Sequence, residues 1–299
     1  MMPLIDPVPT SDLDAEISRH APLGTFRGLE IHSLHGDDCP ATLREIGRLR
    51  ERAFREAGAG RNVDCDLDEL DFGPSAYRQL VAWDPGRREV VAVYRYQRGW
   101  LARTHGDGVL RTHTLFRYSD SFNRDVKPAG IELGRSVVNR DARRRTLGLF
   151  ALWTGLYVLL EEHPELNYFF GNVSLYASMP EEARDLLIAF LEHHYRPPEP
   201  ALVAREALRH RPATAASDRI PGAVAEEPAG RIRALRDLLE PHGATIPPIV
   251  QSYMSLNHEI WFGQTARDAD FGDALEIGLV VPIDAVRRSR DLSRFAPTR

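Results

Sequence analysis

Hydrophobic residues recur along this chain with two different periods, which predict helices alternating with strands. In residues 41–57, Leu43, Ile46 and Leu49 follow the spacing of one helix face, and Gly58 comes next as a stop signal. Two apolar runs on either side of an Asp-Pro-Gly turn predict a hairpin of strands 78–84 and 89–97. The other predicted strands are 28–34, 131–138, 167–174, 249–256 and 275–281, and the other predicted helices are 147–162, 180–195 and 231–240.

The strand predicted over 131–138 carries polar residues where a buried strand usually carries apolar ones. Glu132, Gly134, Arg135 and Ser136 lie in its middle, and a buried charge costs several kcal/mol unless it is compensated. Strict alternation would put Glu132, Gly134 and Ser136 on one face and Arg135 on the other. A bulge at Gly134 would change this pattern and release backbone N–H groups from the ladder. Such donors are able to hold a thioester carbonyl, so this strand is a candidate for chemistry.

An acidic segment precedes the hairpin. Asp64, Asp66 and Asp68 alternate as in the calcium loop D-x-D-x-D-G-x5-E. Glu69 stands where that loop needs glycine and Ser75 where it needs glutamate, so we do not expect calcium. A solvated acidic turn is the alternative to a functional site here.

Three arginines lie among apolar neighbours in predicted elements, Arg50 in a helix and Arg95 and Arg135 in strands. Buried guanidinium groups need acidic partners, and the acids of 64–71 and Glu132 are available. Such pairs would serve either to hold the helix against the sheet or to organise acids that bind a substrate. Both interpretations stay open at this point.

Composition limits the possible functions. With 299 residues, 43% hydrophobic and 27% charged, the chain is typical of a globular protein, and a net charge of −5 does not favour nucleic acid. Two cysteines suit a reducing compartment, and the apolar run 147–160 is shorter than the ~20 residues that span a bilayer. We therefore expect a cytoplasmic protein, with peripheral contact to the inner membrane surface. We also expect an N-terminal arm at 1–25 and a single domain over 26–290, with 198–230 as an insertion or mobile connection.

Six segments in order resemble one enzyme family, over residues 31–200 and again over 246–284. The segments are Glu132-Leu-Gly-Arg-Ser136 with the helix after it, 48–58, 64–71, 93–96, 168–174 and 246–256. The family is that of the acyl-carrier-protein-dependent N-acyltransferases of ornithine and glycine lipid synthesis, often called hemolysin-like. They are related to acyl-homoserine-lactone synthases within the GNAT superfamily. The resemblance implies an α/β, GNAT-like acyltransferase fold, with a central mixed twisted sheet flanked by helices and a C-terminal extension.

The resemblance also implies roles for individual residues. The catalytic residues would be Glu132, Arg135 and Ser136. The residues that bind the acceptor substrate would be Arg50, Phe54, Asp64, Asp68, Asp71 and Arg95, with the acids near its amine. The residues that bind the acyl donor would be Arg143, Arg144, Arg145 and Gly148, although an ordinary basic helix start is the alternative for this loop.

The implied reaction moves a (3-hydroxy)acyl group from acyl carrier protein to the α-amine of a small amino acid. Glycine is favoured as the acceptor and ornithine comes next. Glu132 would act as the base and N–H groups near Arg135 would bind the oxyanion. Phe150 replaces the small residue of the usual coenzyme A loop, which favours the phosphopantetheine of the carrier protein over coenzyme A, and we expect no tightly bound cofactor.

Two other functions fit the same resemblance. One is an acyl-homoserine-lactone-type signal synthase, against which the long section beyond residue 200 argues. The other is a non-catalytic GNAT-like module that binds lipid or carrier protein. Retention of Glu132, Arg135 and the acidic segment argues against it.

Overall fold

The computed structural model describes residues 1–197, 199, 201–256 and 259–284. The described chain forms two compact units, the first made of Met1–Arg111 and Ile131–Leu166 and the second of 112–130 and 167–284. In chain order the strands are β1 (Gly24–Phe26), β2 (Leu29–His35), β3 (Arg78–Asp84), β4 (Glu89–Arg98), β5 (Phe116–Tyr118), β6 (Gly130–Val138), β7 (Tyr168–Leu175), β8 (Leu202–Ala204), β9 (Arg209–His210), β10 (Trp261–Asp268) and β11 (Ala274–Pro282). The helices are α1 (Thr10–Ile17), α2 (Pro40–Glu56), α3 (Ala102–His105), α4 (Thr112–Leu115), α5 (Gly148–Glu162), α6 (Glu181–His194), α7 (Thr214–Ser217), α8 (Pro228–Leu239) and α9 (Pro248–Leu256).

The first unit is built on an antiparallel sheet with β1, β2, β3, β4 and β6 in that order. Helix α5 packs closely on one face of this sheet. A Cβ added at Gly155 would lie 2.6 Å from Ile31 and 2.8 Å from Leu80, and one at Gly148 would lie 2.9 Å from the Ala92 Cβ. Glycine is therefore needed at both positions for the helix to approach the strands.

Helix α2 contacts the opposite face of the same sheet. Its apolar residues Leu43, Ile46 and Leu49 are buried, as the spacing predicted. The Arg50 side chain reaches Gln79 of β3, and Gln79 lies on the other face from Leu80, which contacts α5. The sheet of this unit is thus covered by a helix on each side.

A β-bulge interrupts β6 in the first unit. Val137 pairs with Val93 of β4, but Gly134 pairs with Arg95, so Arg135 and Ser136 together face a single residue of β4. Arg135 adopts a left-handed conformation with φ 54°. The bulge predicted at Gly134 is present one residue later, and strict alternation along β6 ends there.

The second unit has its own antiparallel strands in the order β7, β11, β10 and β9, and a separate pair of β5 with β8. Strand β11 pairs with β7 from Leu275 opposite Leu175 to Pro282 opposite Tyr168. The C-terminal section therefore extends the sheet of β7.

The predicted order of strand, loop, helix, strand and helix is confirmed by β6, α5, β7 and α6. The strand predicted at 249–256 is wrong, because these residues belong to α9. Pro248 begins that helix, and Val250, Tyr253 and Met254 are buried at helical spacing. Strand β10 was not predicted. Within the described ranges the structure has no helix long and apolar enough to span a membrane.

The segments expected to be loose contain ordered elements. Residues 1–25 hold α1, whose Leu13 and Ile17 are buried, and Glu16 accepts hydrogen bonds from the Ala41 and Thr42 N–H groups at 2.9 and 2.7 Å. This carboxylate satisfies N–H groups at the start of α2. The 198–230 segment contains β8, β9 and α7, with Pro198 and Pro200 outside the described residues. The single domain over 26–290 stays a prediction, and its residues 285–290 also lie outside the description.

Candidate active site

Glu132 is a buried carboxylate on β6, with only 2% of the residue exposed. The Tyr77 hydroxyl donates a hydrogen bond to its Oε2 atom, and the Arg111 N–H donates to the same atom at 3.1 Å. The Arg111 N–H also donates to the Tyr77 hydroxyl at 2.8 Å. Burial, and next the charge of Glu132, raises the pKa of Tyr77 well above 10, so the hydroxyl keeps its proton.

The bulge lies immediately beside this carboxylate. Glu132 and Gly134 share one face of the sheet, because they pair with Gln97 and Arg95 of β4. A Cβ added at Gly134 would meet nothing within 4 Å, so there is open space on that face next to Glu132. Ser136 is half-buried in the bulge.

The Arg135 guanidinium turns toward the acidic segment. Its Nε atom lies 3.2 Å from Oδ2 of Asp66, and its Cζ lies 5.4 Å from the centre of the Phe54 ring. The side chain is 12% exposed, and burial lowers the pKa of Arg135 while the Asp66 charge opposes that shift. Asp66 is 1% exposed and its oxygens accept no hydrogen bond of good geometry from the described residues, so Arg135 compensates its charge by proximity.

Arg50 and Asp71 form the buried centre of an ionic network. Arg50 Nη1 donates to both oxygens of Asp71, at 3.1 and 3.2 Å, and Nη2 donates to Gln79 Oε1 at 2.5 Å. Neither side chain of the Arg50–Asp71 pair has any exposed surface. Burial raises the pKa of Asp71, but the charges of Arg50 and Arg95 outweigh it and hold the pKa well below its usual range.

Arg95 joins the network to the exposed side of the acidic segment. Its Nη1 donates to Asp68 at 2.9 Å and to Asp71 at 3.1 Å, and Nη2 donates to the other Asp68 oxygen at 3.2 Å. Its guanidinium lies 4.7 Å from the centre of the Tyr77 ring. Burial lowers the pKa of Arg95, but Asp71 and Asp68 outweigh it and raise the pKa overall.

The acidic segment folds around its own aspartates. Asp68 accepts a hydrogen bond from the Leu70 N–H at 3.0 Å, and Asp71 accepts one from the Asp68 N–H at 3.1 Å. This reciprocal capping fixes a short helical turn at Glu69–Asp71. The turn holds both carboxylates toward Arg95, which explains locally why acids recur here.

The structure brings most of the predicted site residues together in the first unit. The residues in or beside the network are Arg50, Phe54, Asp68, Asp71, Arg95, Glu132, Arg135 and Ser136. Asp64 lies outside the network, because its residue is exposed and its carbonyl accepts from the Ile5 N–H at 3.1 Å. Arg50 of α2 pairs with Asp71, as in the interpretation that such pairs hold the helix against the sheet.

The arginines of the predicted donor loop differ in exposure. Arg143 and Arg145 are exposed, and Arg145 Nη1 donates to the Arg140 carbonyl at 3.3 Å. Arg144 is half-buried, and its guanidinium donates to the Arg27 carbonyl and lies 3.8 Å from Asp84. Gly148 packs against Ala92, as described above. Phe150 is 50% exposed, and its ring stacks on Phe26 with a centroid distance of 6.4 Å.

Sequence reasoning missed three members of the site. Tyr77 and Gln79 follow the acidic segment at the start of the hairpin, where they resemble ordinary strand residues. The third member is the backbone N–H of Arg111, which carries no side-chain signal. Asp66 was recognised only as part of the calcium-like alternation. Its partner Arg135, at 3.2 Å, lies in the bulge.

This chain is similar to known acyltransferases. The family described as acetyltransferase (GNAT) domain matches residues 49–154, which include most of the network and β6. A glycine N(alpha)-acyltransferase of Bacteroides thetaiotaomicron is 33% identical, and the match covers 99% of this chain and 91% of that protein. The chain belongs to the glycine N(alpha)-acyltransferase family. A second protein of that name, from Phocaeicola vulgatus, is 32% identical over 99% of the acyltransferase and 94% of its own length.

The family assignment confirms that the chain is an N-acyltransferase with a GNAT-type α/β fold. Among solved structures, a CoA-dependent acyl-homoserine lactone synthase with SAM and isopentyl-CoA is 13% identical, with a TM-score of 0.43. That similarity covers 91% of the acyltransferase and 92% of the synthase chain. A second CoA-dependent acyl-homoserine lactone synthase is 10% identical, covers 90% and 97% of the two chains and has a TM-score of 0.39. Both structural similarities are weak.

Proposed function

We propose that the acyltransferase moves a fatty acyl group, hydroxylated or not at carbon 3, from acyl carrier protein to the α-amine of glycine. The observation that carries this proposal is the buried Glu132 carboxylate beside the open face at Gly134. A charged acid next to space on a sheet is the arrangement that removing a proton from an incoming amine requires. The names of the two relatives support glycine as the acceptor, ahead of ornithine.

Glu132 acts as the general base in this reaction. Amines of free amino acids are mostly protonated near pH 7 and attack only in the neutral form. Glu132 takes the proton directly or through one water, and the neutral nitrogen attacks the thioester carbonyl. The C–S bond of the tetrahedral intermediate then breaks as the new amide bond is kept. The second proton lost by the nitrogen goes to the thiolate, which leaves as the thiol, and the proton held by Glu132 passes to solvent.

The bulge stabilises the oxyanion of that intermediate. An extra residue in one strand leaves backbone groups outside the ladder, and N–H donors aimed at a developing charge are worth several kcal/mol in other enzymes. The half-buried Ser136 and the positive charge of Arg135 favour the same charge development.

The amine attacks directly, without an acyl-enzyme intermediate. Both cysteines are poor nucleophiles, because burial raises the pKa of Cys39 and of Cys65 to about 11. We therefore assign neither cysteine as the carrier of an acyl-enzyme intermediate.

The ionic network forms and positions the acceptor site. Asp68 keeps 12% of its side chain exposed while it pairs with Arg95, so it is the acid that we assign to the ammonium group of glycine. Arg50 and Asp71, which are fully buried, hold Arg95 and the acidic turn in place. Arg135 lies across from Asp66 and offers a cation for the glycine carboxylate.

The donor is bound through the loop between β6 and α5. The exposed Arg143 and Arg145 suit the acidic surface of a carrier protein, and the aromatic Phe150 occupies the first turn of α5. We propose a cytoplasmic enzyme that meets the inner membrane only transiently, when its product is released.

A matrix of donors and acceptors tests the proposal. Purified enzyme is mixed with 3-hydroxyacyl or acyl chains on carrier protein or on coenzyme A, and with glycine, ornithine or S-adenosylmethionine, and products are identified by mass spectrometry. We expect N-acylglycine, formed faster from the carrier-protein donor. N-acylornithine or a lactone as the main product would contradict glycine as the acceptor. Equal efficiency with the coenzyme A donor would contradict acyl carrier protein as the specific donor.

A further inference from the structure

We propose that Tyr77 is the positioning residue of the catalytic base, which rests on the proposed role of Glu132. Its hydroxyl fixes one oxygen of the carboxylate and favours the charged form that accepts a proton. Tyr77 does not need to touch either substrate to have this effect. Removal of the Tyr77 hydroxyl would therefore change the orientation of Glu132 and its affinity for a proton.

The direction of the hydrogen bond is forced by its surroundings. A backbone N–H only donates, and the Arg111 N–H lies 2.8 Å from the Tyr77 hydroxyl, so the hydroxyl oxygen accepts there. The hydroxyl proton is then directed to Glu132 Oε2. A hydroxyl that donates to a carboxylate stabilises its ionised form.

The hydroxyl is held rigidly in this orientation. Tyr77 has 0% exposed surface, and its ring lies under the Arg95 guanidinium at 4.7 Å. Arg111 N–H bonds both the hydroxyl and Glu132 Oε2, so the three groups form a closed triangle. A closed set of hydrogen bonds restricts the carboxylate to one rotamer, which a catalytic base requires.

Other charges near Glu132 come from the neighbouring elements. Arg95 on β4 and Arg135 on β6 are cationic, whereas Asp66, Asp68 and Asp71 of the acidic segment are anionic and engaged with arginines. The Arg111 side chain adds a further cation at the end of the first unit. These groups are unchanged in a variant that lacks only the Tyr77 hydroxyl, so the variant removes only the two hydrogen bonds of that hydroxyl, of which one reaches Glu132.

Tyr77→Phe is the direct test, because it keeps the ring under Arg95 and removes only the hydroxyl. The Arg111 N–H still has Glu132 Oε2 as an acceptor at 3.1 Å, so no buried donor is stranded. We expect kcat to fall about tenfold with little change in KM, as for a group that orients a base without binding substrate. The acidic limb of the pH–rate profile should move up by about one pH unit, the effect of one hydrogen bond to a charged group.

Tyr96→Phe is the matched control. Tyr96 is 2% exposed on β4 and its hydroxyl lies 2.7 Å from Ser33 Oγ, but it pairs opposite Leu133 and so lies on the other face from Glu132. This variant loses a buried hydroxyl of the same sheet without touching the base. Its pH–rate profile should match that of the wild type. A shift of equal size in both variants, or no shift in Tyr77→Phe, would overturn the proposal.

A second measurement separates this inference from the proposed function. Carboxyl carbons of labelled glutamate are titrated by NMR in wild type and Tyr77→Phe, with the Glu132 signal assigned from Glu132→Gln. The Glu132 midpoint should rise by about one pH unit in Tyr77→Phe whether or not glycine is the acceptor. An unchanged midpoint would refute the role of Tyr77, while a failed search for products refutes only the reaction.

Discussion

The Asp71 carboxylate and the Arg50 guanidinium form an ion pair in which neither side chain has any exposed surface. This pair connects α2 to the turn of the acidic segment, and Arg95 extends it to β4. A buried pair of this kind adds little stability compared with apolar residues, but breaking it leaves uncompensated charge. The network therefore holds the site in place, and a substitution that removes one partner of the Arg50–Asp71 pair lowers stability.

Asp71→Asn should lower the free energy of unfolding by about 3–5 kcal/mol, because Arg50 loses its only carboxylate partner in the described structure and Arg95 loses one of two. Urea unfolding followed by circular dichroism measures this loss. Asp141→Asn is the control, since Asp141 pairs with Arg52 but is 67% exposed, and such pairs contribute less than about 1 kcal/mol. Similar losses in both variants would contradict the buried character of the pair.

Stability of the acyltransferase should fall in acid because of the same network. Burial raises the pKa of Asp71, but the charges of the neighbouring arginines lower it more strongly. The folded-state pKa of Asp71 therefore lies below the unfolded value of about 3.9. The stabilisation is complete above that value and is lost as pH falls below about 4 toward the folded pKa. Unfolding free energies between about pH 6 and 3 should therefore decline less steeply in Asp71→Asn than in wild type. Parallel slopes would show that Asp71 does not contribute.

Gly134→Val should separate activity from stability. The position has open space for a side chain, and valine suits a strand, so the melting temperature should change by no more than a few degrees. The same side chain would fill the space beside Glu132 and reduce kcat/KM at least tenfold, by steric exclusion of substrate. Gly222→Val, at another glycine with open space, should leave both quantities unchanged. A fully active Gly134→Val enzyme would show that substrate lies elsewhere.

Charge reversal of Arg143 and Arg145 should raise the KM for acyl carrier protein and reduce its dependence on salt. Both residues are exposed, and attraction between exposed charges is screened over ~8 Å at physiological salt. Arg144 is left intact, because it is bound to the Arg27 carbonyl. Reversal of Arg233 and Arg236, both exposed on α8, is the control for the same change in net charge. An equal effect of the control would indicate general electrostatic attraction without a docking site.

The sequence predicted the first unit well because its elements have strong local signals. Each of three local signals predicted one element. They are the apolar spacing for α2, the turn for the hairpin of β3 and β4, and the polar residues for the candidate strand β6. The bulge was anticipated because Gly134 weakens a strand at that point. Local chemistry was therefore enough to select Glu132 and Arg135 as candidates, and their roles stay predictions.

Other features depended on contacts that the sequence does not encode locally. Helix α9 was predicted as a strand, because a short apolar run fits both and only packing selects one. Asp64 lies outside the network, and its backbone carbonyl accepts a hydrogen bond from Ile5, which is far away in the chain. Tyr77 was missed because its role depends on a backbone N–H more than thirty residues later.

The central claim is that Glu132 is the base of the transfer, and Glu132→Gln addresses it directly. Glutamine still accepts hydrogen bonds from Tyr77 and the Arg111 N–H, so folding should be preserved. Glu276→Gln is the matched control, since Glu276 is also 2% exposed in a strand and accepts from Asn172 and Ser174. Glu276→Gln tests the effect of changing a buried sheet carboxylate of the second unit.

The decisive measurement is the rate of N-acylglycine formation by Glu132→Gln and Glu276→Gln as a function of pH. Glu132→Gln should be slower than wild type by about 10²–10⁴-fold near pH 7, the usual contribution of a positioned base. Its rate should recover partly as pH rises toward the amine pKa of glycine, where the neutral nucleophile forms unaided, and Glu276→Gln should follow the wild-type profile. A stable Glu132→Gln enzyme with wild-type turnover, or one that only melts earlier with full activity per folded molecule, would contradict the assignment of Glu132 as the base.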